Sequence, residues 1–569
     1  MQNIDVPVLI VGAGPAGLTT ALFLARSGVR PLVIEKHKST SFHPRARGLN
    51  VRTMEIFRTA ELEKAVLSAG EALAKSRYML FVETLAGKEI RRVPDEELMA
   101  GGELLAQFSP SIFSQCAQDE LEPLLLAEAR RYGAEFRFGT EFVTLEQNEE
   151  AVTVTLRERD TSKLETICCQ YLVAADGATS PVREALKLAT VGLSPGDVQD
   201  DGRGSLGNFI NIYFQADLTT LVNERWFGIC FIENSHLEAV LLPVNNSDRW
   251  LLNVSYQADK VTPADFTPEY CLKQIQYAVG TDNLPIKILS ILPWQAAARL
   301  VERMQLERVF LIGDAAHQMP PAGGFGLNTA IQDAHNLAWK LAEVLQKQAT
   351  SPLLKTYEAE RMPIAQVVVT QAVADLTAPT PDYLVTPEGT SPENEAPSWG
   401  DETEGGDQDI EGALLEQLRL ILGYNYKSEA ILNESENLTQ PAKFELIGIP
   451  GTRAPHIWVK RDNQLVSILD LLSYEWVLLV GSDGQTWINA VEQIKKKSNL
   501  PLAVYQISGA EGLKEITPDS WTTAYGVTST GAVLVRPDQF IAWRIAAFDS
   551  SKSPLALLEK VLQKLLVGD

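Results

Sequence analysis

Four apolar runs, each closing on a glycine or an acid, stand out along the chain: VPVLIV at 6–11, PLVIE at 31–35, YLVAA at 171–175 and RVFLIG at 308–313. Short unbroken apolar runs bounded by turn residues predict strands buried on both faces of a parallel sheet. Helical periodicity follows the first run from residue 18, returns at 118–132 and again at about 328–346. Residues 136–158 alternate V-T-V-T and predict strands joined by a polar turn. From 206 to 300 helical patterning gives way to β-rich runs, LGNFINIYFQADL, RWFGICFIE, LEAVLLPV, DRWLLNVSYQ and LPIKILSILPW, with one helix at 266–279. Beyond residue 440 strands alternate with a helix at 488–498. The predicted fold is α/β: a Rossmann-like domain over 1–185 closed by 301–380, an inserted β-rich domain at 186–300, an acidic linker at 381–412, and a C-terminal region at 413–569 whose smaller α/β domain begins near 440.

A length of 569 residues agrees with two or three domains. The net charge of −23 argues against nucleic acid and anionic membranes as partners, because the long-range field repels both. No run of 18 apolar residues predicts a membrane span, and the opening MQNIDVPVLIVGAG lacks the basic leader of a signal peptide. Cysteines 116, 168, 169, 230 and 271 show no CxxC spacing, and their odd number speaks against a secreted disulfide framework. A cytoplasmic location is the resulting expectation. No lysine or arginine occurs between Met362 and Leu418, and TPEGTSPENEAPSWGDETEGGDQD within that stretch reads as a solvated surface insertion.

The chemistry-bearing motifs sit at strand ends. After the first run comes Gly12-Ala13-Gly14-Pro15-Ala16-Gly17, then a helix, then a strand ending on Glu35. This is the dinucleotide fingerprint: Gly12 permits the tight turn, Gly14 lets a pyrophosphate approach the backbone, and Gly17 lets helix and strand pack closely. Glu35 is placed to reach a ribose hydroxyl and disfavours a 2′-phosphate, which leaves FAD or NAD. Arg45 and Arg47 precede a helix and offer donor forks for phosphate, or a solvated surface. Asp176-Gly177 forms a turn after the third run, with Ser180-Pro181 as cap and first helical position. Asp314 ends the fourth run, and a Pro/Gly loop at 320–326 leads into a helix whose free N–H groups and dipole suit an anionic ring edge. His317 and His335 lack metal-ligand spacing and predict packing or hydrogen bonding, so no metal site is expected.

GAGPAGL, AADGATSPVR and VFLIGDAAHQMPPAGGFGLNTAIQDAHNLAWKL together resemble the class A flavoprotein aromatic hydroxylases, in particular their phenol and aromatic-polyketide branch, across essentially the whole chain. The resemblance implies FAD as resident cofactor, NADPH or NADH as transient reductant, and molecular oxygen as co-substrate. It implies hydroxylation of a phenolic or polycyclic aromatic through a flavin C4a-hydroperoxide, with no obligatory side-chain nucleophile. Position by position, it assigns Gly12, Gly14, Pro15, Ala16 and Gly17 to the pyrophosphate, and Glu35 with Lys36 to the adenosine. It places Arg45 by the flavin and its phosphates, and Gln118 in a Q-x-x-x-E-x-x-L helix completed by Glu122 and Leu125. Asp176, Gly177 and Arg183 form a motif for both nucleotides. Gly313 and Asp314 lie on the ribityl side, Pro320 and Gly324 near the reactive flavin edge, and Gly323, Gly326, Leu327 and Asn328 in the loop facing the ring. Phe325 stands where many relatives carry a polar residue or methionine.

Tyr213, Arg225 and Trp294 are the candidate substrate contacts in the β-rich region. The C-terminal domain resembles the thioredoxin-like domain of the same branch through GTRAPH at 451–456 and VLVRPD at 533–538. It contains no cysteine and cannot perform dithiol exchange, so its expected role is structural support or contact within a homodimer. The motifs leave open a Baeyer–Villiger or epoxidising monooxygenase, an NADH-oxidising flavoprotein without oxygen insertion, and a non-catalytic flavin-binding scaffold. A small-molecule aromatic is the expected partner.

Overall fold

A computed structural model describes residues 4–94, 103–192, 205–377, 406–432, 444–472, 474–509, 512–549 and 551–568. The four apolar runs do form one sheet. Val309–Leu311, Leu164–Ala174, Val6–Val11, Leu32–Glu35 and Glu135–Phe138 lie side by side and parallel, with Val11 opposite both Ala174 and Ile34. Val8, Leu9, Ile10, Leu172 and Val173 are fully buried, which is why these strands need apolar residues at every position. Helices Pro15–Arg26, Gln118–Arg131 and Phe325–Leu345 cover the sheet. The carboxyl ends of its three central strands therefore converge where an open α/β sheet places its ligand.

The second sheet has seven strands in the order Lys287–Ala297, Ser205–Gln215, Arg249–Tyr256, Glu238–Pro243, Ile229–Glu233, Tyr78–Val82 and Glu89–Pro94. It is not confined to 186–300: its last two strands come from within the 1–185 segment, and Tyr78–Val82 pairs parallel with Ile229–Glu233. The period of two along these strands separates two environments. Ile210, Ile212, Phe214, Trp250, Leu252, Cys230 and Ile232 pack with helix Pro268–Val279. Phe209, Asn211, Leu251, Asn253, Val240 and Phe231 point the other way, into a cavity.

The C-terminal domain carries a four-stranded sheet, Leu502–Gln506, Trp476–Val480, Ala532–Val535 and Ile541–Ile545. The first two are parallel, and the last two form an antiparallel hairpin. Helices Gln485–Lys497 and Pro554–Leu566 supply apolar residues to its core. The acidic stretch expected as a linker lies outside the described residues up to 405; a helix, Gly406–Leu422, begins inside its expected bounds. Among the described residues no helix is long and apolar enough to cross a membrane.

Buried charge joins this domain to the nucleotide-binding one. Arg536 grips Glu360 with two N–H groups at 2.6 and 3.0 Å and also holds Asp538. Glu360 further accepts from Lys340 at 2.8 Å, Asn336 at 2.7 Å and Ser428 at 2.6 Å. Arg453, fully buried, donates to the Phe108 carbonyl and pairs with Glu55. Burial opposes ionisation of Glu360, yet Arg536 and Lys340 hold its carboxyl far below the usual range. Truncating one partner strands the others without compensation, so Arg536→Met is expected to destabilise the protein by about 3–5 kcal/mol, read as a lowered thermal midpoint.

Burial also pushes His335 and His456 down to about 3, so both stay neutral in the fold. The unfolded chain binds those protons near pH 6.5, so the stability they contribute is complete above that value and is lost as pH falls toward 3. His335→Gln should flatten the fall in thermal midpoint between about pH 6.5 and pH 5.

Candidate active site

The glycine fingerprint is explained by contacts. Gly12 has φ +104°, and a Cβ there would lie 2.3 Å from the Ala175 carbonyl oxygen. A Cβ on Gly17 would lie 2.0 Å from the Gly12 oxygen, whereas one on Gly14 would meet open space. Helix Pro15–Arg26 begins at Gly14 without a side-chain cap, so its first N–H groups face the cavity mouth unengaged by side chains. Glu35 accepts from the backbone N–H of Ala13 and of His37, each at 2.9 Å, and thereby ties the loop to the second strand. Lys36 lines the cavity beside it.

The segment around Arg45 is held from the helix at Gln118. Gln118 donates to Glu122 at 2.6 Å, and its backbone N–H bonds the Ala46 carbonyl at 2.9 Å. Glu122 also accepts from the Ser41 N–H at 2.7 Å, and burial raises its pKa. Arg45 itself projects into the cavity. His43 bonds Ser290 of the second sheet at 2.6 Å, and burial and then Arg45 lower its pKa to about 4, so it is neutral near pH 7.

Asp176 accepts from the Val182 N–H at 3.0 Å through one oxygen, while Oδ1 has no hydrogen-bond partner among the described residues. Burial raises its pKa. Arg183 does not reach the cavity: its guanidinium bonds the carbonyls of Ala315 at 2.9 Å and Ala178 at 2.8 Å and so locks two loops together. Asp314 faces the cavity, and enclosure by protein raises its pKa against the pull of His317 and Arg45. The turn that carries it is fixed from behind by Asp333, which accepts from Gly313 N–H at 3.1 Å, meets His317 at 2.6 Å and pairs with Arg361 at 2.8 Å. Burial opposes it, but His317 and Arg361 keep Asp333 below the usual carboxylate range. His335, by contrast, packs edge-on against Phe23.

Pro320, Gly323, Gly324, Gly326 and Leu327 line the cavity. Gly324 caps the helix Phe325–Leu345 at φ +62°, again without a side-chain cap. Asn328 stitches this loop to the arginine segment: it donates to Gly324 O at 2.7 Å and Gly48 O at 3.1 Å and accepts from Asn50 N–H at 2.9 Å. Phe325 turns inward against Val368 and Ala372. Gly17 and Gly313 stand behind the lining, where they permit close packing.

Two of the three expected substrate contacts are corrected. Arg225 does not line the cavity; its guanidinium binds the carbonyls of Leu85, Gly87, Leu221 and Val222 and closes a corner of the second sheet. Tyr213 is buried at the junction with helix Gln118–Arg131, where Arg249 reaches its hydroxyl and pairs with Asp119 and Glu120. Trp294 does line the cavity, stacked on Phe209 with centroids 4.6 Å apart. The sequence reading did not single out Asn211, Asn253, Phe209 or Phe231; strand alternation held the signal, once the helix-covered face was known.

All these walls enclose one cavity of about 2550 Å³, several times the volume of a drug-sized ligand site, so it has room for a dinucleotide and a second molecule together. Open space at Gly14, the orphan Asp176 Oδ1 and cationic Arg45 fit the pyrophosphate and hydroxyl groups of FAD. Fold and site together define a flavin-dependent monooxygenase with a substrate wall built on a separate sheet. Residues 5–372 match the FAD binding domain family, and residues 448–566 match the aromatic-ring hydroxylase C-terminal family. The chain is 34% identical over 589 residues to the tetracenomycin A2 monooxygenase-dioxygenase of Streptomyces glaucescens, covering 99% of this chain and 98% of that one. The structure of aklavinone-11 hydroxylase with FAD and aklavinone superposes at TM-score 0.82, with 33% identity and full coverage of both chains. That of the flavin-dependent monooxygenase PieE with FAD and substrate also gives TM-score 0.82, at 30% identity, covering 99% of this chain and all of that one. The chain belongs to the FAD-dependent aromatic-ring hydroxylase family.

Gly17→Ala is expected to yield protein without bound flavin, because the added methyl must displace the Gly12 carbonyl; the ratio of visible flavin to protein absorbance on purification checks it.

Proposed function

We propose that this protein uses NADPH or NADH and molecular oxygen to hydroxylate a polycyclic phenolic aromatic of the polyketide type, in the cytoplasm. The observation that carries this reading is the cavity that joins the nucleotide loops at 12–16, 176–177 and 323–328 to an aromatic and amide-bearing sheet face. The aklavinone bound to a relative that matches along its full length supports a multi-ring substrate.

In this reading the Gly12–Gly17 loop and the helix behind it receive the pyrophosphate, and Glu35 and Lys36 receive the adenosine. Arg45, held in place through Gln118, supplies positive charge beside the phosphates and ring. Asp176, Gly177 and Asp314 face the ribityl and ribose hydroxyls. Gly323–Asn328 present an uncapped helix start to the ring, where N–H groups favour negative charge. FAD, once reduced, supplies the electrons that activate oxygen for insertion into an electron-rich ring. The protein's own contribution is orientation and exclusion of water: Phe209, Phe231, Leu251 and Trp294 form an apolar surface against which a flat substrate lies. The other G-x-G-x-x-G spacing in the sequence, Gly202 to Gly207, leads into the strand Ser205–Gln215 and not into a helix, so it lacks the context of a dinucleotide fingerprint and the nicotinamide reductant docks transiently.

FAD-loaded protein is expected to oxidise NADPH or NADH faster with polycyclic phenols present and to yield product heavier by one oxygen, labelled when 18O2 is supplied. Ring expansion or an epoxide in the product would move the assignment to the Baeyer–Villiger or epoxidising reaction. Peroxide alone across the panel would favour an oxidase-type flavoprotein. Arg45→Ala should weaken FAD binding by about 10- to 100-fold, the worth of a lost charge-assisted hydrogen bond, measured by flavin fluorescence titration.

A further inference from the structure

On the cavity face of the second sheet, which Glu238, Ser255, Ser290 and Gln295 also line, a central pair of amides stands among apolar side chains. Asn211 on Ser205–Gln215 stands directly opposite Asn253 on Arg249–Tyr256. Around them, Leu292 is the other cross-strand partner of Asn211, Val240 is that of Asn253, and the Phe209–Trp294 stack lies one step along the strands. Amides in such a wall are costly unless a hydrogen-bond partner meets them.

One of the two amides has a fixed orientation. The Trp294 indole N–H donates to Asn211 Oδ1 at 2.9 Å. An indole N–H can donate and cannot accept, so it dictates which end of the amide it meets. The Asn211 oxygen is thereby engaged, which leaves the NH2 group as the unengaged end of a side chain that lines the cavity, although the residue is only 8% exposed. No other hydrogen bond to the Asn211 side chain occurs among the described residues. The wall therefore presents a rigid donor, not an adaptable amide, set between aromatic and aliphatic surfaces.

We propose that Asn211, locked by Trp294 and flanked by Asn253, is a specificity residue whose N–H binds a carbonyl, quinone or phenolate oxygen on the polycyclic aromatic. This inference rests on the functional reading above and adds the chemical group that the wall selects. A ligand with an acceptor oxygen at that point satisfies the donor and lies flat against Phe209 and Trp294. A ligand offering only a donor leaves the amide unpaired, a penalty larger than the loss of one apolar contact.

The test uses FAD-loaded protein and two probes, 1,8-dihydroxyanthraquinone, which presents carbonyl acceptors, and 1-anthrol, whose hydroxyl can donate or accept. Binding is read from perturbation of the flavin absorbance. Asn211→Asp, measured at about pH 8 to keep the new carboxyl ionised, keeps the Trp294 partner but turns an acceptor toward the ligand; Asn211→Leu removes the donor. Asn211→Asp is expected to weaken the quinone by about tenfold or more while 1-anthrol, whose hydroxyl turns to donate to the carboxylate, changes by less than about threefold; Asn211→Leu should weaken the quinone by a similar factor, and Trp294→Phe should produce a smaller loss of the same selectivity. Flavin content of each variant checks that it folds. Equal affinity of wild type and both Asn211 variants for the quinone, or equal weakening of both probes by Asn211→Asp, overturns the proposal while the functional reading stands if wild type hydroxylates a phenol. Wild-type protein that binds neither probe and oxygenates no aromatic overturns both.

Discussion

The carboxylate of Asp333 is where the flavin-binding half and the rest of the molecule meet. One side chain, wholly inside the protein, holds the turn at Gly313, the ring of His317 and the guanidinium of Arg361, which in turn bonds the Tyr426 hydroxyl at 2.9 Å. A turn and two helices thus share one buried anion. Three residues further along the same helix, Asn336 enters a second cluster through Glu360, and Arg536 carries that cluster into the C-terminal domain. Buried ions of this kind are poor sources of stability in themselves, but they tolerate only one arrangement of their partners. The cysteine-free C-terminal domain is therefore tied to the helix behind the site by one fixed set of buried contacts.

The parts of the site that were legible in the sequence are those whose geometry is local. The turn at Gly12 and the packing at Gly17 depend on atoms a few residues away or on the next strand, so the spacing of glycines encodes them. Asp314 and the Gly323–Gly324 loop were legible for the same reason: strand end, loop and helix start succeed one another directly. Arg183 was a different case. Its motif fixed where it sits, but only the fold shows that its guanidinium closes on backbone carbonyls and turns away from the cavity.

The substrate wall was legible as β structure and illegible as a surface. Whether Tyr213 faces ligand or protein depends on helix Gln118–Arg131 arriving from far earlier in the chain, and on Arg249 capturing its hydroxyl. Arg225 had the charge expected of a binding residue, yet four carbonyl oxygens consume it. The Asn211–Trp294 contact is a diagonal across two strands and exists only in one register. The strands at 78–94 escaped because one of them pairs in parallel with a partner contributed much later, a link that leaves no short-range trace.

That late partner has a mechanical meaning. Because Tyr78–Val82 and Glu89–Pro94 are woven into a sheet otherwise built from residues beyond 204, the polypeptide leaves the nucleotide-binding body for this sheet twice and returns to it twice. The β-rich body therefore cannot be excised as a cassette or exchanged with a relative by one cut and one splice. Any graft of a foreign substrate wall has to carry the early hairpin with it, and a chimera that omits it would expose the flank of Ile229–Glu233 as an unpaired edge ready to recruit another chain.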